Sequence, residues 1–345
     1  MNQFDERGRH AKYIFILLLV ALFVLFWLDI FLGSVRINPY DVIEVLRGEN
    51  LNDIGLIIFN FRLPKAISAL IVGAALSISG LQMQTVFRNP MAGPDVLGIS
   101  SGAGLGVALT ILGSASFSVG LASSAGDWVL AISAWIGAGA VLFIIMLISV
   151  RIKDIMIILI LGIMLSSGIS AIITVLQYFS NETMLKAYVL WTMGSLGNLT
   201  SDQLIVLLIS VSAGLIISFF SIKIFNALLL GENYAKSLGL NIRKSRILVF
   251  ICTSILTGSV TAFCGPIGFI GVAVPHLARL MFKTSDHKIL LPGTLVTGSC
   301  VMLVCDVISQ LPGSDTVLPI NAVTSFIGIP VVVWVILKNR KFSMA

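Results

Sequence analysis

The chain has 345 residues, of which 57% are hydrophobic and only 11% are charged. Soluble domains carry about 25% charged residues, and a water-soluble fold of this length cannot hide so much apolar side chain. The composition excludes an ordinary water-soluble domain and predicts that lipid is the surrounding solvent. The net charge of +6 comes from residues between apolar runs, so it indicates membrane topology and gives no support to nucleic-acid binding.

Apolar runs recur along the whole chain. A membrane-spanning helix needs roughly 17–25 mostly apolar residues, and continuous rather than alternating runs argue against membrane strands. Ten runs meet or approach this length: residues 13–33, 66–84, 96–113, 128–150, 155–179, 204–224, 247–264, 267–281, 289–310 and 317–337. The sequence therefore predicts an all-α polytopic membrane protein of about ten transmembrane helices, forming a single domain over residues 1–345.

The positions of Lys and Arg predict an orientation, because cytoplasmic segments carry an excess of both. With both termini inside, 17 of the 22 Lys and Arg fall on the inner side. The five on the outer side are Arg36, Arg47, Arg62, Lys65 and Lys186. Residues 1–12 are then a cytoplasmic tail, and the first run is a retained span because no clear signal-peptide cleavage site follows it.

The segment 79–106 places polar and helix-breaking residues between two apolar runs. Pro90 and Pro94 interrupt the helix, so the chain between them is irregular. Irregular backbone at membrane depth persists only where protein or a water-filled cavity satisfies its polar groups. We therefore expect Asn89, Pro90 and Met91 to border a pathway. An ordinary cytoplasmic loop followed by a packing helix is the alternative.

Glycines follow this break at a spacing of four residues. Gly98, Gly102 and Gly106 would lie on one helix face, where they permit close approach of a neighbouring helix. The same stretch matches the nucleophile pattern G-x-S-x-G around Ser100, which requires a strand-to-helix turn and an aligned histidine. With His276 as its one candidate intramembrane partner, a membrane hydrolase is kept only as a remote alternative.

A second interrupted stretch covers residues 264–281 and also contains several glycines and prolines. In the orientation above, the first break follows an out-to-in helix and this one follows an in-to-out helix. Corresponding breaks in oppositely directed halves indicate an inverted internal repeat around a central pathway. His276 and Arg279 are interpreted as anchors at the inner interface.

The source of energy is predicted to be another subunit. The carboxylates within the apolar runs, Asp29, Asp95 and Asp306, lie near predicted helix ends, whereas ion-coupled carriers usually place such groups at the midplane. An ion-coupled secondary transporter remains the alternative. The chain has no G-x-x-x-x-G-K-[ST] sequence for ATP, and its four cysteines match no metal-binding spacing.

The longest polar stretch between later spans, residues 226–246, is predicted to be cytoplasmic. It is interpreted as two short helices separated by Gly239. Residues 228–230, Ala235 and Leu238 would then form an apolar face suited to docking a soluble partner. A plain basic linker is the alternative.

Four motifs in the expected order resemble the FecCD-type permeases of bacterial ABC importers for iron–siderophores, haem and cobalamin. They are RLPKAISALIVGAALSISGLQMQTVFRNPMAGPDVLGISSGAGLG from Arg62, WTMGSLGN from Trp191, LLLGENYAKSLGLN from Leu228 and GPIGFIGVAVPHLARL from Gly265. The resemblance implies a multi-pass subunit of the bacterial inner membrane with ten helices, paired with a second permease subunit, here expected to be a second copy. It further implies two cytoplasmic ATPases that use the ATP, an external binding protein, and no enzymatic activity or bound cofactor in this chain.

The resemblance also implies roles for particular residues. The loop near the inner gate is matched by Asn89, Pro90 and Met91. The segment that docks the ATPase is matched by residues 232–240, which include Glu232, Ala235, Leu238 and Gly239. The basic positions that meet acidic residues of the binding protein are matched by Arg62 and Lys65.

One departure from the family pattern lies on the predicted outer side. The family usually has an arginine soon after the aspartate of the ninth span and then a Glu-Leu-Pro-x-Gly pattern. This chain has Gln310 in DVISQ, and Val317 and Asn321 in VLPIN. We therefore expect the binding protein of this system to carry a different arrangement of charges.

Overall fold

The computed structural model describes residues 2–33, 39–46, 53–113, 126–152, 154–310 and 316–343. Secondary structure in these ranges is helical, without a strand. The α-helices are α1 (Asn2–Phe31), α2 (Pro39–Leu46), α3 (Asp53–Ile57), α4 (Leu63–Val86), α5 (Ile99–Ile111), α6 (Gly126–Arg151), α7 (Ile155–Tyr178), α8 (Glu182–Thr192), α9 (Ser201–Phe220), α10 (Ile222–Leu229), α11 (Glu232–Ser237), α12 (Ile242–Cys264), α13 (Ile270–Phe282), α14 (His287–Ser309) and α15 (Ile320–Ser343). Of the basic residues used for the topology, Arg36, Arg47 and Lys153 lie outside the described residues.

The helices agree with the ten predicted spans. Seven helical segments in the described ranges are long and apolar enough to cross a membrane: Gly8–Phe31, Ile54–Val86, Trp128–Arg151, Ile155–Tyr178, Ser201–Phe220, Ile242–Cys264 and His287–Ser309. Three shorter apolar helical segments are Ile99–Ile111, Ile270–Phe282 and Ile320–Val335. Each of these ten segments overlaps one predicted run, so the prediction of an all-α polytopic membrane protein is confirmed. The inverted relation between the halves stays a prediction.

The outward faces of the long helices are apolar. Exposed side chains include Ile136, Phe143, Met164 and Phe220, each more than half exposed. Such residues would form large apolar patches on a water-soluble protein, whereas in a bilayer they can contact acyl chains. The burial pattern therefore supports the inference drawn from composition.

The chain divides into two compact units, and each is described by itself. The first contains Met1–Ser77, Ser195–Val206 and Gly268–Ala345. Within it, α14 packs against α1, α13 and α15. A Cβ atom at Gly73 of α4 would overlap the backbone of Gly298 in α14, so these two helices approach at backbone contact. The hydroxyl of Ser299 also donates to the Leu70 carbonyl oxygen at 2.8 Å, which fixes the register of the pair.

The second unit contains Ile78–Gly194 and Leu207–Ile267. Here α5 packs against α6, α7, α8 and α12. Gln82 of α4 lies in a buried polar network: its amide donates to Ser218 Oγ at 2.6 Å and accepts from Thr253 Oγ1 at 2.9 Å. Hydrogen bonds between transmembrane helices of this kind are worth about 0.6 kcal/mol on average, so the network sets the register of three helices more than it adds stability.

Both predicted breaks occur where the sequence places them. After α4 the chain turns through Arg88 (φ 48°), forms a 3₁₀ turn at Pro94–Leu97 and reaches α5 through Gly98 (φ 74°). After α12 it turns at Gly265 (φ 74°) before α13 begins. Each break thus joins a long helix to a short one through left-handed backbone. The helices 99–111 and 270–282 differ from the predicted runs 96–113 and 267–281, because the break occupies the first residues of each run.

Candidate functional site

A buried arginine joins α1 to α4. Residues Ile58–Arg62 form one π-helical turn ahead of α4, and Arg62 is 9% exposed. Its guanidinium donates to the carbonyl oxygens of Ile30 and Phe31 at 2.6 and 3.0 Å. These carbonyls end α1 and have no partner within that helix, so Arg62 satisfies them and lies against the negative end of the helix dipole.

A second cation lies next to this contact, in an ion pair. Lys65 Nζ is 3.1 Å from Asp306 Oδ1, and the Asp306 side chain is 1% exposed. The Gln310 amide nitrogen donates to Asp29 Oδ1 at 2.8 Å and to Asp306 Oδ2 at 3.1 Å. Gln310 therefore bridges two buried carboxylates. We call Asp29, Arg62, Lys65, Asp306 and Gln310 the charged cluster.

The charged cluster borders a cavity of about 510 Å³ within the first unit. Ser195, Gly197 and Asn198, from the motif WTMGSLGN, also line this cavity. Asp29 Oδ2 is buried and has no hydrogen-bond partner among the described residues. The cavity thus brings two separate sequence motifs to one place and offers both cationic donors and an acceptor.

Arg62 and Lys65, expected to meet acidic residues of a binding protein, also have partners within this chain. Asp306 contacts Lys65, and the end of α1 contacts Arg62. The docking role of both residues stays a prediction. Two cations and two carboxylates give the charged cluster a formal charge of zero. Sequence reasoning had noted Asp29 and Asp306 but missed the pairing, because more than 240 residues separate Lys65 from Asp306.

The segment predicted to dock an ATPase forms α10, a break and α11. One break falls at Gly231 (φ 104°), between α10 and α11, and a second at Gly239 (φ 83°), between α11 and α12. Gly239 therefore separates two helices as predicted, but the break at Gly231 was not predicted. A side chain at Gly231 would have to adopt a left-handed backbone, which explains a glycine there. We call Ile222–Leu240 the coupling segment.

The exposed face of the coupling segment also differs from the predicted one. Ala235 is fully buried, whereas Tyr234 and Leu238 are more than half exposed. Glu232 accepts hydrogen bonds from the Arg246 guanidinium, including one of 3.1 Å from Nε. Glu232 therefore holds α11 against α12, and the large apolar side chains exposed on the coupling segment are Leu230, Tyr234 and Leu238.

The irregular loop after α4 adjoins the coupling segment. A Cβ atom at Gly231 would lie 3.4 Å from Arg88 Nη1. The next residue, Asn89, accepts from the Met91 backbone N–H at 2.9 Å through its side-chain oxygen, which fixes a tight turn. The Arg88 side chain, which belongs to the loop containing Asn89, Pro90 and Met91, therefore lies beside Gly231.

Glycines bring α5 and α6 into backbone contact. A Cβ atom at Gly102 would lie 2.6 Å from the Gly137 carbonyl oxygen, and one at Gly106 would overlap the Ser133 carbonyl. Gly98 differs from the predicted arrangement, because it precedes α5 in a left-handed conformation and a Cβ there would meet Ser166. Gly137 is a packing residue that the sequence analysis missed.

The nucleophile pattern has a different role here. Ser100 follows a 3₁₀ turn and opens a helix, and its hydroxyl donates to Asp95. The strand-to-helix turn that the hydrolase motif requires is replaced by helix on both sides of Gly98. Ser100 thus ties the first turn of α5 to the preceding 3₁₀ turn, and the hydrolase alternative loses its structural basis.

Long apolar helices, two broken segments and a short amphipathic coupling segment define a polytopic transport permease. A match to the FecCD transport family spans residues 19–338, and the chain belongs to that family. It is 35% identical to the vitamin B12 import system permease protein BtuC of Salmonella typhi over 98% of each chain. It is 34% identical to the hemin transport system permease protein HmuU of Yersinia pestis over 82% of this chain and 83% of that one.

A solved structure described as an inward-facing conformation of a metal-chelate type ABC transporter has the same fold. The TM-score is 0.83 at 29% identity, covering 95% of this chain and 99% of that chain. The protein is therefore an integral membrane permease subunit of an ABC transporter and not an enzyme. This assignment sets aside the ion-coupled secondary transporter.

Proposed function

We propose that the chain is the membrane-spanning subunit of an importer that takes an iron chelate (a siderophore complex or haem) or cobalamin from an external binding protein. The observation that carries the proposal is the family match over residues 19–338, together with relatives named for hemin and vitamin B12. A ferric chelate is the lead cargo, in keeping with the metal-chelate type transporter of the same fold.

The proposed assembly contains two copies of this chain and two cytoplasmic ATPases in the bacterial inner membrane, with both termini cytoplasmic. ATP is bound by the ATPases, since the chain has no Walker-type phosphate loop. Uptake should be measured in proteoliposomes with the cognate binding protein, using labelled ferric siderophore, haem and cobalamin in parallel. Cargo entry without the ATPase or without ATP would contradict the proposal.

Arg62 and Lys65 are proposed to receive acidic side chains of the binding protein at the cavity of the charged cluster. Lys65 is 19% exposed and lines that cavity, so a carboxylate entering it could share the ammonium with Asp306. Because carboxylates of this chain already lie beside these cations, we expect the salt dependence of docking to be shallow. A steep dependence of the association rate on ionic strength would place the docking charges elsewhere.

Coupling to the ATPase is proposed to run through Tyr234 and Leu238. The double variant Tyr234→Ser/Leu238→Ser should lose ATP-driven uptake and co-purification of the ATPase, because a few central anchor residues carry most of the energy of an interface and each can contribute about 2 kcal/mol. The matched control is Tyr178→Ser/Phe179→Ser, which changes two exposed aromatic residues at the end of α7. Gly239 is a poor probe, because its φ of 83° strains any other residue.

The outcome that would contradict this coupling role is full uptake by Tyr234→Ser/Leu238→Ser. Loss of uptake in the Tyr178→Ser/Phe179→Ser control as well would also contradict it, since exposed aromatic side chains in general would then be needed. Membrane insertion of each variant is checked by its yield and its elution profile in detergent.

The loop after α4 is proposed to border the pathway near the inner gate. In a chain freed of its four buried native cysteines, Met91→Cys should react with a polar thiol reagent at a rate that depends on nucleotide state. Ser285→Cys, at an exposed residue in the connection between α13 and α14, serves as the control and should react equally in every state. A constant rate at Met91→Cys would favour the plain-loop interpretation.

A further inference from the structure

A second cavity lies within the second unit, between the end of α6 and the coupling segment. Its volume is about 410 Å³. Ser149 and Val150 line it from α6, Glu232 and Lys236 from α11, and Arg243 and Arg246 from α12. Part of its lining, including Glu232 and Lys236, belongs to the segment proposed to dock the ATPase, but that role gives the cavity itself no ligand.

The lining carries an excess of positive charge. Three cations face one carboxylate, and Arg246 is already paired with Glu232. Lys236 and Arg243 therefore leave the cavity with a net charge of about +2. The first turn of α12, which begins at Ile242, adds the positive end of a helix dipole. An anion is the complementary ligand.

A buried hydroxyl supplies an independent observation. Ser149 is 4% exposed, and its Oγ has no hydrogen-bond partner in the part of the chain that the structure describes. Buried hydroxyls are normally paired, so an orphan that lines a basic cavity indicates a missing partner. A phosphate oxygen would accept a hydrogen bond from this hydroxyl and an ion pair from Lys236 or Arg243.

An apolar stripe continues from the cavity along α6. Phe143, Leu147 and Val150 are 58%, 55% and 44% exposed, and their spacing of four and three residues places them on one helix face. Val150 belongs to both the stripe and the cavity. A ligand that fills both would be anionic at one end and apolar along the rest.

We propose that this cavity binds the phosphate group of an anionic phospholipid, whose acyl chains lie along Phe143, Leu147 and Val150. Basic cavities next to transmembrane helices are suited to such headgroups. Because Lys236 lies in the coupling segment and Ser149 in a spanning helix, the lipid would tie the two together. This consequence rests on the proposed coupling role, whereas the lipid site itself does not.

The test uses the purified full-length chain without ATPase, so its result is independent of transport. Native mass spectrometry measures the affinity for phosphatidylglycerol and for phosphatidylcholine of the same acyl chains. Lys236→Gln/Arg243→Gln should weaken phosphatidylglycerol binding about twentyfold and leave phosphatidylcholine binding unchanged. Lys244→Gln/Lys288→Gln removes the same charge from exposed positions outside the cavity and should bind as the wild type does.

Ser149→Ala keeps the charge of the cavity and should weaken phosphatidylglycerol binding several-fold. This variant tests the site even if the double variant folds poorly. Equal affinity of wild type, Ser149→Ala and Lys236→Gln/Arg243→Gln would overturn the site. If excess inorganic phosphate binds to the chain as tightly as the lipid and displaces it, the site takes free anions and the lipid assignment is overturned. If the two double variants lose phosphatidylglycerol affinity equally, the lipid responds to the surface charge of the whole protein. That result would also overturn the proposed site.

Discussion

Replacing Lys65 with methionine is expected to lower the free energy of unfolding by about 3–5 kcal/mol, the usual cost of leaving one member of a buried ion pair without its partner. Asp306 is 1% exposed, and its remaining contact from Gln310 is a neutral amide. The measurement is thermal or denaturant unfolding of the purified chain in a fixed detergent. Lys186→Met, at an exposed lysine of α8, should change stability by less than about 0.5 kcal/mol.

The double variant Lys65→Met/Asp306→Asn tests whether the lost stability comes from the unpaired charge of Asp306. With both charges removed, much of the lost stability should return, because replacement of a buried pair by neutral groups is often nearly neutral. A Lys65→Met variant as stable as the Lys186→Met control would show that water reaches Asp306 and that the pair is not a structural one. A double variant less stable than Lys65→Met would contradict the pairing of these two residues.

The second large effect is expected at the contact between α5 and α6. A Cβ atom at Gly137 would overlap the Gly102 carbonyl oxygen, so Gly137→Ala must separate two helices in backbone contact. Overpacking of this kind typically costs about 1–3 kcal/mol. Gly139→Ala is the matched control two residues away, because a Cβ atom there meets nothing within 4 Å.

Helix propensity alone would make both alanine variants more stable, by roughly 0.5–1 kcal/mol each. Opposite signs for Gly137→Ala and Gly139→Ala in the same unfolding assay would therefore isolate the packing contribution. If both substitutions stabilise the chain, α5 and α6 do not touch at this point.

The spans were predictable because lipid imposes a length and a composition on every crossing helix. The breaks after α4 and α12 were predictable for a different reason, since Pro90, Pro94 and Pro266 interrupt helices between apolar runs. The exact residues at which the helices begin and end were harder to predict from the sequence. Residues such as Gly98 and Gly265 continue an apolar run in sequence while adopting left-handed backbone in space.

The contacts within the charged cluster could not be predicted from local sequence patterns. Asp29, Lys65 and Asp306 were each singled out, yet their pairing depends on the packing of α1, α4 and α14. The departure at Gln310 is also explained only in three dimensions, since its amide bridges Asp29 and Asp306. Likewise, Asn321 accepts from the Gly268 backbone N–H at 3.1 Å and so supports the second break.

The bridge between Asp29 and Gln310 has a consequence for biosynthesis. The two residues are 281 positions apart, so at about 5–20 residues per second of synthesis Asp29 waits roughly 15–55 s for its partner. An ionised carboxylate is costly in hydrocarbon, and Asp29 lies two residues from the end of α1. We therefore expect the nascent first helix to hold this side chain at the lipid–water boundary until the C-terminal helices insert and Gln310 reaches it.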